Sequence, residues 1–135
     1  MIANQHVHVL DEFNNFMEEE IYQMMIATTE DQDELILENT TTLKVARWWD
    51  KACDIIPCNG GKDIGIQKIL DYFNFSKDEA MAFGDGGNDI SMLKYVGTGV
   101  AMGNAKDDVK AIADYITDSV QEDGIVSALK HFEIL

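Results

Sequence analysis

The chain has 135 residues, enough for one ordinary domain with a real apolar core and no need of disulfide staples. Hydrophobic residues make up 46% and charged residues 26%, a globular rather than a disordered balance. Ten basic against 25 acidic residues leave a formal charge of −15, which argues against nucleic-acid backbones and anionic membrane surfaces as partners. An acidic protein that handles an anionic substrate needs a metal or a local lysine to offset repulsion.

In chain order, "VLDEFNNFMEEE" (9–20) places Val9, Leu10, Phe13, Phe16 and Met17 at helical spacing. "IYQMMIAT" (21–28) is short and apolar and reads as a buried strand. "TEDQDELILENT" follows as a helix, with Thr29 at its N-cap and acids in its first turn. "TLKVARWW" and "KACDIIP" read as two strands joined by a tight turn at Asp50–Lys51. Residues 1–57 thus carry an α/β pattern of their own, and the pattern changes after the loop "CNGG" (58–61).

From Lys62 the chain alternates. "KDIGIQKILDYFNF" (62–75) is an amphipathic helix with Ile64, Ile66, Ile69, Leu70 and Phe73 on its apolar face. Ser76 caps a short turn, "SKDEA". Then come the strand "AMAFGD", the helix "NDISMLKYV", the strand "TGVAMG", the helix "AKDDVKAIA", the strand "DYIT" and a closing helix in "EDGIVSALKHF". Strands alternating with helices at this spacing imply βαβ units, a parallel sheet and helices on both of its faces. Ligands of such sheets bind beyond the carboxyl ends of the strands, where the loop "GDGGND" (84–89) falls.

The loop fits neither a calcium loop nor a dinucleotide fingerprint. Counted from Asp85, the calcium positions 3, 6 and 12 are Gly87, Ile90 and Val96, and no G-x-G-x-x-G occurs in the chain. Mg²⁺ suits it better, because that ion takes one or two carboxylates together with waters and substrate phosphate oxygens. Asp85 at the strand end and Asp89 one helical turn on can face one spot. Asn88 can donate an amide to a phosphate oxygen, and the helix start adds backbone N–H groups. The bland alternative is a strand-to-helix turn in which Asn88 or Asp89 merely caps the helix. Lys62 read alone is a solvated lysine at a helix start, an electrostatically poor place for a cation.

"FGDGGNDISML" (83–93), with "GGK" upstream and "GTGVAMGNA" and "ADYITDSVQEDGI" downstream, resembles the haloacid dehalogenase (HAD) superfamily. The match is to the C-terminal portion of its Cof-type phosphatases and runs from about Cys58 to the end. Residues 1–57 resemble the tail of the α/β cap that these phosphatases insert into their core. The resemblance implies part of a HAD-like Rossmannoid parallel sheet (58–135) behind the end of a cap (1–57).

It also implies a Mg²⁺-dependent phosphate monoester hydrolase acting on a small phosphorylated metabolite such as a sugar phosphate. In the family an aspartate attacks phosphorus, a second aspartate two residues on moves the proton, and a lysine steadies nucleophile and phosphate. By that resemblance Lys62 is the catalytic, phosphate-holding lysine and Asp85 the principal metal ligand. Asp89 is a second ligand, direct or through water. Asn88 contacts substrate phosphate, and Asn104 lines the site or braces the loop.

The family's nucleophile motif, D-x-D-G-T/S, is absent from this sequence; the lone D-x-D is "DQD" at 31–33, in a polar stretch. Thr28 and Thr29 end an apolar run, but in the cap-like part. The expectation is a truncated and by itself inactive phosphatase, whose "AMAF" strand offers a free edge to a second copy or a complementing chain. A split enzyme and a non-catalytic Mg²⁺/phosphate or protein-binding module are the alternatives. Cys53 and Cys58 read as two reduced thiols, and no apolar run approaches the ~18 residues of a membrane span. With no signal-peptide pattern at the start, a cytoplasmic location is expected.

Overall fold

The structure, a computed structural model, describes residues 20–135. The helix expected over Val9–Met17 lies outside them. Two three-stranded sheets are described. The first is antiparallel in the order β1-β3-β2, formed by β1 (Met24–Ile26), β2 (Leu43–Trp49) and β3 (Ala52–Pro57). The second is parallel in the order β4-β5-β6, formed by β4 (Met81–Gly84), β5 (Thr98–Ala101) and β6 (Tyr115–Ile116).

The β2–β3 hairpin forms where β-branched and aromatic residues alternate with polar ones around a polar turn. Its register sets Lys44 opposite Ile56, Val45 opposite Ile55 and Ala46 opposite Asp54, with an irregularity between Arg47 and Trp49. Because successive strand residues point to opposite faces, Lys44, Ala46, Asp54 and Ile56 share one face. The other face carries Cys53 and Ile55, which are fully buried. Cys53 and Cys58 are both free thiols, and burial pushes the Cys53 thiol up from its ordinary range.

Two expectations for this half are corrected. The strand at 21–28 shrinks to three residues and is largely exposed, with Met25 at 70%. Among the described residues it pairs only with β3, which makes it an edge of the sheet. The following helix is likewise shorter. A 3₁₀ turn at Glu30–Gln32 leads into α1 (Asp33–Leu37), and Thr29 makes no side-chain cap. Instead the Thr28 hydroxyl bonds to the Gln32 side chain, and the Arg47 guanidinium binds Asp33 and the Thr28 carbonyl, stapling α1 to β2.

The parallel half follows the predicted alternation: α2 (Lys62–Phe73), β4, α3 (Ile90–Tyr95), β5, α4 (Asp107–Lys110), β6 and α5 (Gly124–His131). Ser76 caps its turn as expected, with its N–H and hydroxyl both bonded to Glu79. The core consists of Ala82, Leu93, Val96, Ala101, Ala105 and Val109, with Ile66 of α2 packed against it. The predicted apolar face of α2 is only partly used. Ile69 and Phe73 are exposed at 59% and 61%, because the helix touches the core near its start and its last turns lie on no described neighbour. Strand β4 pairs with β5 and, among the described residues, with nothing on its other edge.

Candidate active site

The loop after β4 turns back on itself because Asp89 reaches across it. A 3₁₀ turn at Gly87–Asp89 leads into α3. The Asp89 carboxylate does not cap that helix. Its Oδ2 accepts the backbone N–H groups of Asp85 and Gly86, each at 3.0 Å, and so closes the loop over the strand end. Gly84 is required by this closure. A Cβ there would stand 2.5 Å from Cβ of Asp89 and 3.0 Å from its Oδ2, closer than atoms pack.

Asp89 Oδ1 takes the ammonium of Lys62. That contact resolves why a lysine sits at a helix start: the carboxylate, not the helix, holds the cation. Gly61 just before it has φ of 137°, a backbone that L-residues rarely adopt, and this turn brings α2 round so that Lys62 faces the β4 loop. Asp89 is buried to 6% exposure while the Lys62 side chain is 48% exposed. Burial alone would push the Asp89 carboxyl up. The Lys62 hydrogen bond, the Gly86 and Asp85 N–H groups and the lysine's charge outweigh it and hold the carboxyl below its usual range.

Asp85 is placed differently. It is exposed, and its Oδ2 accepts the Asn104 amide at 2.9 Å. Asn104 Oδ1 in turn accepts the Val120 N–H at 3.0 Å, tying the loops after β4, β5 and β6 together. Asn104 therefore braces Asp85. Among the described residues Asp85 Oδ1 has no hydrogen-bond partner, and an exposed carboxylate oxygen at a strand end suits a hard cation such as Mg²⁺. Asp89 Oδ2 already accepts two N–H groups and Oδ1 accepts one bond from Lys62, which leaves this carboxylate a single lone pair, on Oδ1, for a metal or a metal-bound water. No group of three or more His, Cys, Asp or Glu gathers among the described residues, and Asp31 and Asp33 of "DQD" lie in the antiparallel half.

Four of the five sequence-derived candidates therefore fall into two hydrogen-bonded pairs around the loop after β4, Lys62 with Asp89 and Asp85 with Asn104. Asn88, the fifth, lines a cavity of about 600 Å³ between the hairpin and the loop, together with Lys62. Lys44 and Asp54 of the hairpin line it too. No motif marked them. A polar residue within a strand reads as solvent-facing, and only the placement of the hairpin over the loop turns their face inward.

A family model for haloacid dehalogenase-like hydrolases matches residues 2–129. YkrA of Bacillus subtilis (strain 168), which bears a phosphatase name, is 40% identical over 116 residues, covering 86% of this chain and 45% of that one. The HAD subclass IIB sugar phosphatase BT4131 superposes with a TM-score of 0.84 at 43% identity, over 91% of this chain and 47% of that one. BT1666 from Bacteroides thetaiotaomicron, a phosphatase of the same superfamily, gives 0.86 at 37% identity, over 94% and 47%. The likeness runs through both sheets, and the chain spans about half the length of these relatives. Among the described residues no helix is long and apolar enough to cross a membrane.

Proposed function

Because the chain belongs to the haloacid dehalogenase-like hydrolase family, we propose that it supplies the lysine and metal-binding half of a Mg²⁺-dependent phosphate monoester hydrolase of the Cof type. The observation that carries this reading is the network at the end of β4, in which buried Asp89 fixes both the Lys62 ammonium and the loop that presents Asp85. The substrate is a sugar phosphate or a similar small phosphoester, in keeping with the sugar phosphatase among the similar structures.

Each residue has a distinct task. Lys62, half exposed beside the cavity, places a positive charge against phosphoryl oxygens. Asp89 is a positioning residue that orients Lys62 and holds the turn closed. Asp85 would hold Mg²⁺, with Asn104 fixing its carboxylate plane; the bound cation would offset the charge of the phosphoryl group in a strongly acidic chain. Asn88 donates to the same group.

No residue of this sequence matches the family's attacking aspartate, so turnover by the chain alone is expected to be low. The non-catalytic alternative, a module that keeps only Mg²⁺ and phosphate binding, rests on that same observation. The edge of β4 that is unpaired among the described residues supports self-association or a complementing chain. Hydrolysis of an aryl phosphate, with calorimetric titration of Mg²⁺ and inorganic phosphate, tests the reading. Binding of both with little turnover agrees with it. Robust Mg²⁺-dependent turnover, lost in Lys62→Met, would mean that a nucleophile is present here after all. No binding of either would refute the site itself.

A further inference from the structure

Asn104 braces Asp85 only while its amide keeps one orientation. The two ends of the group are close in shape and opposite in polarity; turned end for end, it would set its oxygen against the Asp85 carboxylate and repel it. The Val120 backbone N–H fixes the orientation. It donates to Asn104 Oδ1 at 3.0 Å, which leaves the Asn104 NH₂ to donate to Asp85 Oδ2 at 2.9 Å. Asp85 Oδ1, without a partner among the described residues, is thereby the oxygen kept open.

Val120 begins a 3₁₀ turn, Val120–Glu122, in the loop between β6 and α5. That loop is held from both ends. The Thr117 hydroxyl, buried just past β6, donates to the Gly124 carbonyl at 2.6 Å and pins the start of α5 to the end of the strand. Asp123, at φ of 55°, turns the chain back so that the Gly124 N–H donates to the Ser119 carbonyl at 3.1 Å. The Gly103 N–H donates to the Asp118 carbonyl at 3.0 Å, which ties the loop to the residue just before Asn104. A chain of bonds thus runs from a buried hydroxyl, through a backbone N–H, to the carboxylate at the end of β4.

We propose that the loop from Thr117 to Gly124 is a positioning element of the metal site. Its Val120 N–H sets the polarity of the Asn104 amide, the Thr117 hydroxyl holds that N–H in place, and Asp85 is left with an open oxygen for Mg²⁺. The proposal rests on the reading of Asp85 as the metal ligand, and the experiment separates the two.

Val120→Pro deletes the donor and little else. The residue is 60% exposed and opens a helical turn, where proline is tolerated. Ser119 before it, at φ of −70° and ψ of 167°, already has the extended backbone that a following proline requires. Thr117→Val removes the hydroxyl at the buried end of the chain of bonds, and Thr117→Ser keeps it. Nitrogen–proton correlation spectra of the metal-free variants follow the Asn104 side-chain amide, identified by its loss in Asn104→Asp, and calorimetry gives the Mg²⁺ affinity. Val120→Pro and Thr117→Val should shift the Asn104 amide resonances and raise the Mg²⁺ dissociation constant about fivefold, the worth of one hydrogen bond. Val120→Ala and Thr117→Ser should keep the parental resonances and an affinity within about twofold of the parent, with circular dichroism unchanged in all four.

Unmoved Asn104 resonances in Val120→Pro, or undiminished Mg²⁺ affinity there while Asp85→Ala abolishes binding, would overturn the proposal and leave the metal site standing. So would an equal loss in Val120→Ala, or a Thr117→Ser variant that fails alongside Thr117→Val, since either would trace the effect to packing rather than to the bonds. A parent chain that binds no Mg²⁺ would sink the metal reading and this proposal with it.

Discussion

Replacing Asp89 with asparagine removes one charge from a near-isosteric side chain and tests the arrangement at the heart of the site. In the parent, the buried carboxylate accepts from Lys62 and from two backbone N–H groups. Asparagine keeps one acceptor oxygen for the N–H groups and turns its NH₂ towards an ammonium or away from it. Bonds to charged groups contribute about 1.5–3 kcal/mol and neutral ones about 0.5–1.5 kcal/mol. The Lys62 bond is lost and the N–H bonds are weakened, so the loss is about 2 kcal/mol. With a urea slope of about 1–1.5 kcal/mol/M, the midpoint falls by roughly 1.5 M.

The pH profile separates charge from shape. The folded-state carboxyl is held below its ordinary value, so its stabilisation is complete above the unfolded pKa of about 4 and is lost as pH falls through the lower folded value. The gap between parent and Asp89→Asn at pH 6 should therefore close below about pH 4. Lys62→Met should lose less than Asp89→Asn, because the backbone bonds survive, and the double variant should lose less than the sum. Equal urea midpoints for parent and Asp89→Asn at pH 6, or a gap that persists undiminished to pH 2, would refute the reasoning.

Gly84→Ala forces a methyl to within 2.5 Å of the Asp89 Cβ and should cost about 1–3 kcal/mol in thermal unfolding while weakening Mg²⁺ binding; an unchanged melting temperature would mean that the loop has room to spare. Gly61→Ala places a Cβ on a φ of 137° and 2.7 Å from the Asp63 carboxylate, and the same melt should fall by about 1–3 kcal/mol. A neutral result there would show that α2 starts from a different backbone. Lys106→Ala breaks the 2.6 Å pair with Asp50, which links the hairpin turn to the loop after β5. Both partners are largely exposed, so no shift in the urea midpoint is expected, and a large one would make that pair a true latch.

The hairpin from 43 to 57 was legible because alternation, β-branched residues and a polar turn all mark strands. The β/α succession after Lys62 was legible from spacing alone. Periodicity shows which face of a helix is apolar but not what covers it, which is why Ile69 and Phe73 were expected inside and are exposed. Local rules also offered Thr29 and Asp89 as helix caps. Neither makes a side-chain cap; Thr28 bonds to Gln32 instead, and Asp89 forms an ion pair reaching 27 residues back to Lys62. Contacts of that sequence separation leave no trace in spacing. The resemblance put Lys62, Asp85, Asp89 and Asn104 in one site, and the bond between Asn104 and Asp85, 19 residues apart, is another contact that spacing alone does not reveal.

Calorimetric titration of Mg²⁺ into the parent chain and into Asp85→Ala tests the central claim most directly. The expected result is a saturable Mg²⁺ isotherm for the parent that is abolished in Asp85→Ala, with far-ultraviolet circular dichroism and the urea midpoint unchanged, because the Asp85 side chain is exposed and among the described residues bonds only to Asn104. Mg²⁺ binding that survives intact in Asp85→Ala would contradict the assignment of the β4 loop as the metal site.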